Sequence, residues 1–593
     1  MEKSKLKIEA PTWDLTDFYE SPSDPKIEED FKALSKRIES FCKKYEGNIH
    51  KLQSKDLYHA IKDYESISEL LSFITSYAVL IYTQNMNDKK GASFYQHALE
   101  KAADLSKKMI FFCLEINQIS DKSLNEFYKE SADLKLYKPW ISDTRVFKPH
   151  QLDQKTETLF HELSLPASSN WVRLYDETFA SLKFSFQGKE YSCTEILNFS
   201  FEADENLRKE SSLVFGEKLK EISRQSSLIL NTLAKEKQIS DTWHHYDRPV
   251  ASRNRENHVE DKVIETLLKS VQNNYQKTSH RFYKLKAKWL GKEKLNYWDR
   301  NAPLPTQKMQ TYSWDEARDI VLEAYHQFSP EMAKVGKQFF DKNWIDAALR
   351  PGKDSGAFSH PTVPSVHPYI LQNYQGKVWD IMTLAHELGH GIHQVLSAKQ
   401  GYLMADTPLT LAETASIFGE MLTFQSLLSK TQSKEERKII LAGKVSDMLN
   451  SIMRQISFSL FEHKFHDIRR DHELSTEEIC DIWMETQKES LGPYVELSGN
   501  YAYYWSYISH FFHVPFYVYA YAFGNCLVNS LYMRFQEAPN GFQDKYISML
   551  SAGGTLHHKD LLKPFNLDAT ESNFWDQGLN LVSTMIDELE DLS

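Results

Sequence analysis

Val378-Trp379-Asp380-Ile381-Met382-Thr383-Leu384-Ala385-His386-Glu387-Leu388-Gly389-His390 is the stretch on which the reading of this chain turns. It predicts an apolar helix that begins near Val378, with Asp380 in its first turn. Its last five residues put two imidazoles one turn apart on one helical face. They can grip a single metal ion, with Glu387 beside that metal as a base. The 593 residues around it hold only 21 Gly and 19 Pro, so long helices are expected, and 34 Phe and 30 Tyr predict a large aromatic interior.

Before this helix, Pro351 to Gly376 is loop-like, rich in Gly and Pro, with a short strand expected within Tyr369–Tyr374. The Gly352–Gly356 loop is expected to be a mobile element over the site, and Asn373-Tyr374 an edge that pairs with a substrate backbone. Helical patterning dominates elsewhere. Leu70, Leu71, Ile74, Tyr77, Ala78 and Ile81 keep a helical period, and 206–241 has few breakers. Leu182, Phe184 and Phe186 alternate with polar residues before Gly188, predicting a hairpin, and Asn301–Pro305 reads as a loop.

Tyr501–Met533 is apolar enough to suggest a membrane span, but His510, His513, Pro515, Asn525 and Asn529 are costly in lipid. A wall of a buried cavity is the better expectation, and no membrane partner is expected. Formal charge is -12 with no basic stripe, which argues against nucleic-acid binding. The five cysteines are scattered and form no CxxC, and the Met1–Lys5 start leads into polar sequence. Both features suit a cytoplasmic protein.

A catalytic zinc takes three protein ligands and one water. His393 shares the face of His386 and His390 but lies seven residues from His386. That is about 10 Å along the axis, too far to share one ion. Leu396 occupies the third-histidine position of the longer zinc motif. Downstream, Glu413 and Glu420 sit seven apart in an apolar, small-residue segment. Buried carboxylates there are expensive unless paired or metal-bound. Glu413 is the favoured third ligand, Glu420 the group that orients a ligand histidine. Asp406 is a weaker candidate for that orienting role.

The pattern resembles the oligoendopeptidase F family, relatives of thimet oligopeptidase. The resemblance rests on His386-Glu387-Leu388-Gly389-His390-Gly391 and on Ala412-Glu413-x-Ala415-Ser416 followed by Glu420. It extends to Pro351-Gly352-Lys353, Tyr369-Ile370-Leu371-x-Asn373-Tyr374, Trp13-x-Leu15-x-Asp17 and Gly553-Gly554. It implies a mainly α fold, with two helical lobes enclosing a deep substrate channel and a small β-sheet beside the zinc-site helix. It implies an N-terminal helical region at 1–115, an oligopeptidase N-terminal domain at 116–200 and a catalytic domain at 201–593. One Zn2+ per chain would be held by His386, His390 and Glu413, with Glu387 as base.

The family has a His- and Tyr-rich segment facing the zinc, matched here by His510-Phe511 and Phe516-Tyr517-Val518-Tyr519-x-Tyr521-Ala522. The spacing between these blocks differs by about one residue from the commoner pattern. The expected oxyanion donors are therefore His510, then Tyr517, Tyr519 and Tyr521, with His513 a bystander. The implied activity is hydrolysis of internal bonds in short oligopeptides. A zinc carboxypeptidase or dipeptidyl carboxypeptidase is the rival reading, though no carboxylate-holding residue can be nominated from sequence. An inactive peptide-binding protein is the remote one.

Overall fold

The computed structural model describes residues 9–304 and 311–593. The Met1–Lys5 start, and Pro305 at the end of the expected loop, lie outside them. The described chain is mainly helical, and its sheets are two two-stranded pairs and one three-stranded sheet. It forms two compact units, each assembled from three stretches. The first combines Met1–Lys148, Gln310–Lys430 and Glu537–Asn566; the second combines Pro149–Met309, Thr431–Gln536 and Leu567–Ser593.

In the first unit, helix α1 (Ser54–Gln84) buries Leu71, Ile74, Tyr77 and Ala78, the expected period. It is also long and apolar enough to cross a membrane, by length and composition. The three-stranded sheet joins β1 (Ile345–Asp346), β2 (Phe358–His360) and β3 (Tyr369–Leu371). The order is β1-β3-β2, with β3 parallel to β1 and antiparallel to β2. The expected strand at 369 is thus central, not an edge. Asn373 donates to the Asp354 and Gly356 carbonyls, and the Tyr374 N–H to Ala347. The Tyr374 N–H is thus taken by the Ala347 carbonyl, and the Asn373 side chain by the 354–356 loop.

The Gly352 loop is likewise pinned. The Lys353 ammonium is buried and donates to the Asp346 carboxylate at 2.8 Å and to the carbonyls of Asp346, Ala348 and Gln372 at 3.0, 3.1 and 2.6 Å. The Met86 N–H donates to the Gly352 carbonyl at 2.6 Å. A lysine caged by four acceptors anchors its loop, contrary to the mobile element expected.

Beside the sheet runs α2 (Val378–Ser397). Asp380 accepts from the N–H groups of Gln375 and Lys377, satisfying donors at the helix start. Ile381, Leu384, Ala385, Leu388 and Ile392 have no exposed surface. Helix α3 (Thr414–Lys430) crosses α2 at Gly389, where an added Cβ would lie 2.5 Å from the Ala415 carbonyl oxygen and 2.6 Å from Ser416 Cα. Only glycine permits this backbone approach, which brings the start of α3 to the histidines.

In the second unit, Phe184–Phe186 and Lys189–Tyr191 form the expected antiparallel hairpin, turning at Gln187 and Gly188 with φ of 50° and 75°. Helix Glu205–Trp243 spans the expected helical stretch. The core gathers Phe184, Phe215, Phe461, Trp483, Trp505 and Phe511. The apolar 501–533 region is broken into a 3-10 segment Gly499–Tyr507, a short helix His510–His513 and a helix Tyr519–Glu537, much of it in this core.

Candidate active site

On α2, His386 and His390 point their Nε2 atoms at one carboxylate oxygen. Glu413 Oε2 lies 3.3 Å from the first and 3.4 Å from the second. Glu413 occupies the break between the short helix Leu409–Ala412 and α3. The Ser416 hydroxyl donates to the same oxygen at 2.7 Å, fixing its rotamer. On the other side of the His386 ring, Nδ1 faces Glu420 Oε2 at 3.4 Å. One ring nitrogen thus faces the shared point and the other an orienting carboxylate.

Burial opposes charge on both partners of the His386–Glu413 pair. The pair nonetheless holds Glu413 far below the usual carboxylate range, and Glu413 and Glu420 hold His386 up at about 10. Glu387 is different. Burial pushes its carboxyl up, opposed by His386 and His390, while the Glu413 charge adds to the rise and the Ser359 backbone N–H on β2 works against it. A raised carboxyl suits a proton carrier. The Gln394 side chain accepts from the Ser359 hydroxyl at 2.9 Å, which ties β2 to α2.

The donor set passes a direct test for metal. Two imidazole nitrogens and one carboxylate oxygen lie within 4.8 Å of one another. That is the N2O set of a catalytic zinc site, with a fourth position left for water or substrate. His393 stands apart, as helical rise requires. Burial and the His390 charge push its imidazole down to about 4, so it packs as a neutral ring. Asp406 is exposed in the loop after α2.

In the second unit, the structure gathers three of the expected donors. His510 Nε2 lies 3.3 Å from the Tyr521 hydroxyl, the His510 and Tyr517 rings stack at 5.5 Å, and Tyr517 meets Tyr521 edge-on at 5.3 Å. Burial, with the charges of His513 and Arg454, pushes His510 down, keeping it neutral. Tyr519 does not join them. Its ring is fully buried, and its hydroxyl accepts from Asn257 at 2.8 Å. Tyr519 opens the helix Tyr519–Glu537 and points elsewhere, whereas Tyr517, just before that helix, meets Tyr521. His513 pairs with Asp176 at 2.9 Å, as expected of a bystander.

Residues 200–581 match the model of peptidase family M3, and residues 115–184 match that of oligopeptidase F. The chain belongs to peptidase family M3. Oligopeptidase PepF of Bacillus subtilis is 28% identical over 608 residues, covering 100% of this chain and 88% of the relative. Group B oligopeptidase PepB of Streptococcus agalactiae is 27% identical over 594 residues, covering 98% and 96%. Among solved structures, a Chlamydophila abortus protein superposes with a TM-score of 0.85 at 23% identity, covering 98% of each chain. Oligoendopeptidase-F of Enterococcus faecium gives 0.73 at 19%, covering 96% of this chain and 98% of that one. Membership makes this family M3 chain a metalloendopeptidase.

Sequence reasoning missed Ser359, Gln394 and Ser416. Ser416 was within reach, lying three residues after Glu413 on the same helical face. Ser359 carried no signal, because its part is played by a backbone N–H.

Proposed function

We propose that this metalloendopeptidase uses zinc, held by His386, His390 and Glu413, to hydrolyse internal bonds of short oligopeptides in the cytoplasm. The observation that carries the reading is the convergence of both Nε2 atoms on Glu413 Oε2, with the raised Glu387 carboxyl beside them. Bound there, zinc supplies a Lewis acid that acidifies water and polarises a carbonyl. Glu387 takes the proton of the attacking water and returns it to the leaving amine. Glu420 keeps the His386 ring turned with Nε2 inward. His510, Tyr517 and Tyr521 form the donor group for the oxyanion, in place of Tyr519. The division at 1–115, 116–200 and 201–593 belongs to the same reading, with the metal chemistry in the last part. Five free cysteines suit a reducing compartment.

The test is digestion of a peptide blocked at both ends, followed by product mass spectrometry, with Glu387→Gln as control. Internal cleavage should appear with the parent protein. The variant should keep its zinc and lose activity by at least about 100-fold. A variant that cleaves as fast as the parent would remove Glu387 from the mechanism. Cleavage confined to peptides with free C-termini would replace the endopeptidase with a carboxypeptidase.

A further inference from the structure

In the second unit the chain turns between the short helix His510–His513 and the helix Tyr519–Glu537. Phe516 holds φ of 60° in that turn. A side chain disfavours this left-handed conformation, so it persists only where its surroundings enforce it. Strain of this kind clusters at functional sites. The next residue is Tyr517, of the proposed donor group. Phe516, Val518 and Tyr519 around it are buried, whereas Tyr517 is partly exposed.

The enforcement comes from two other helices. The Pro515 carbonyl and the Phe516 N–H belong to one peptide unit, and that unit is held at both ends. Its N–H donates to Glu462 Oε1, on helix Gln455–Arg469, at 2.7 Å. Arg253 Nε, on helix Ala251–Glu256, donates to its carbonyl at 3.3 Å. Because a peptide unit is planar, bonds at opposite ends fix its rotation. The His463 and His466 rings, from the Glu462 helix, pack on the Phe516 ring at 5.1 and 4.8 Å. Asn257, just after the Arg253 helix, holds the Tyr519 hydroxyl at 2.8 Å. Tyr517 therefore stands between two anchored points.

Glu462 is a costly way to make one bond. It is 1% exposed, and its second oxygen has no hydrogen-bond partner among the described residues. Burying a carboxyl is unfavourable unless its polar atoms are paired. An apolar side chain would fill the same space but would leave the Phe516 N–H without an acceptor. We propose that Glu462 and Arg253 are positioning residues for Tyr517. By clamping the 515–516 peptide they set the direction of the Tyr517 ring, which stacks on His510 at 5.5 Å and meets Tyr521 edge-on at 5.3 Å. The catalytic consequence rests on the reading of His510, Tyr517 and Tyr521 as oxyanion donors.

Fluorine NMR of the full chain with 3-fluorotyrosine at position 517 reads the ring without turnover. Glu462→Leu, which accepts no hydrogen bond, and Arg253→Met should each shift or broaden the resonance. Glu462→Gln, which keeps the acceptor, should leave it in place. Should Glu462→Leu fail to fold, Arg253→Met, at a partly exposed position, decides alone. A resonance unmoved in the folded variants overturns the proposal, whatever Tyr517 does in catalysis. So does a Glu462→Gln resonance displaced as far as that of Glu462→Leu. Kinetics on a blocked peptide read the consequence. In the variants that move the resonance, kcat should fall by about ten-fold to 100-fold with little change in KM, the scale of a small misplacement. In a Tyr517→Phe background the same substitutions should cost less than about two-fold more, since effects passing through one group do not add. An equal further loss in that background would mean that the clamp acts on another group, and the proposal falls. A Tyr517→Phe protein with the kcat of the parent would instead remove Tyr517 from the donor group and leave the clamp standing on the fluorine signal.

Discussion

Tyr519 and Tyr521 are two residues apart on one helix and have opposite surroundings. The Tyr519 hydroxyl is fixed in the core by Asn257, whereas the Tyr521 hydroxyl faces His510 at 3.3 Å. Tyr521→Phe removes a donor from the proposed oxyanion group, and kcat should fall by about ten-fold to 100-fold, with a smaller effect on KM. Tyr519→Phe should leave kcat near the parent value and lower stability by about 1 kcal/mol, the cost of a buried hydrogen bond. Steady-state kinetics and thermal melting of both variants check the pair. The reverse ranking would return Tyr519 to the site. From sequence, all three tyrosines were plausible donors. Helical period separates 519 from 521, but it cannot say which face is core, and Tyr517 lies before the helix begins. That choice is made by Asn257, far away in the chain.

At the scale of elements, Gly389 joins sequence motif to fold. It lies between the histidines and lets α2 meet α3 backbone to backbone. In Gly389→Ala the new methyl would meet the Ala415 carbonyl and Ser416 Cα, neither of which can swing aside. Overpacking of this kind costs about 1–3 kcal/mol. The helices should part just where Glu413 enters, so metal affinity should fall together with the melting temperature; retained zinc affinity in a destabilised protein would show that this crossing does not set the ligand geometry. A second element is the turn before Tyr517. Phe516 has φ of 60°, and its N–H donates to the buried Glu462 carboxyl at 2.7 Å, while Arg253 donates to the Pro515 carbonyl at 3.3 Å. Burial pushes Glu462 up to about 8 from an ordinary 4.5. Between these values the folded chain holds a proton that the unfolded chain releases. Stability therefore falls as pH rises from about 4.5 through about 8, by up to about 1.4 kcal/mol per pH unit. Glu462→Gln keeps an acceptor for Phe516 and removes the proton, so urea unfolding between pH 5 and 8 should show a flatter profile. An unchanged slope would remove Glu462 as its source; His463 and His466, both pushed down by burial, contribute stability that rises with pH and so act in the opposite direction. The elements themselves were largely legible: the hairpin turn at Gly188, the strand at 369 and the helix from Val378 follow from alternation, breakers and period. The central place of β3 was not, since its partners Ile345–Asp346 and Phe358–His360 are too short to carry a pattern.

Over the whole molecule, the assembly of each unit from three separated stretches had no local signature, because contacts across hundreds of residues leave no mark in a short window. The metal site inherits that assembly. His386 and His390 lie on α2 and Glu413 at the head of α3, and Tyr546, from the third stretch of the unit, donates to the Thr414 carbonyl at 2.8 Å. In an unfolded chain the His386–His390 pair and Glu413 are 23 residues apart at their nearest, so the three-ligand set exists only in the native fold. An ion that binds the native state alone stabilises it by mass action, by about 2.7 kcal/mol at a free concentration 100 times its dissociation constant. Chelation should therefore abolish peptide hydrolysis and lower the melting temperature together, and graded zinc should restore both along one curve. Glu413→Ala should melt at the same temperature with and without zinc, because two histidines alone do not complete the set. Loss of activity on chelation with no change in melting temperature would mean that the metal does not bind the native fold alone, and the three-residue ligand assignment would fall with it.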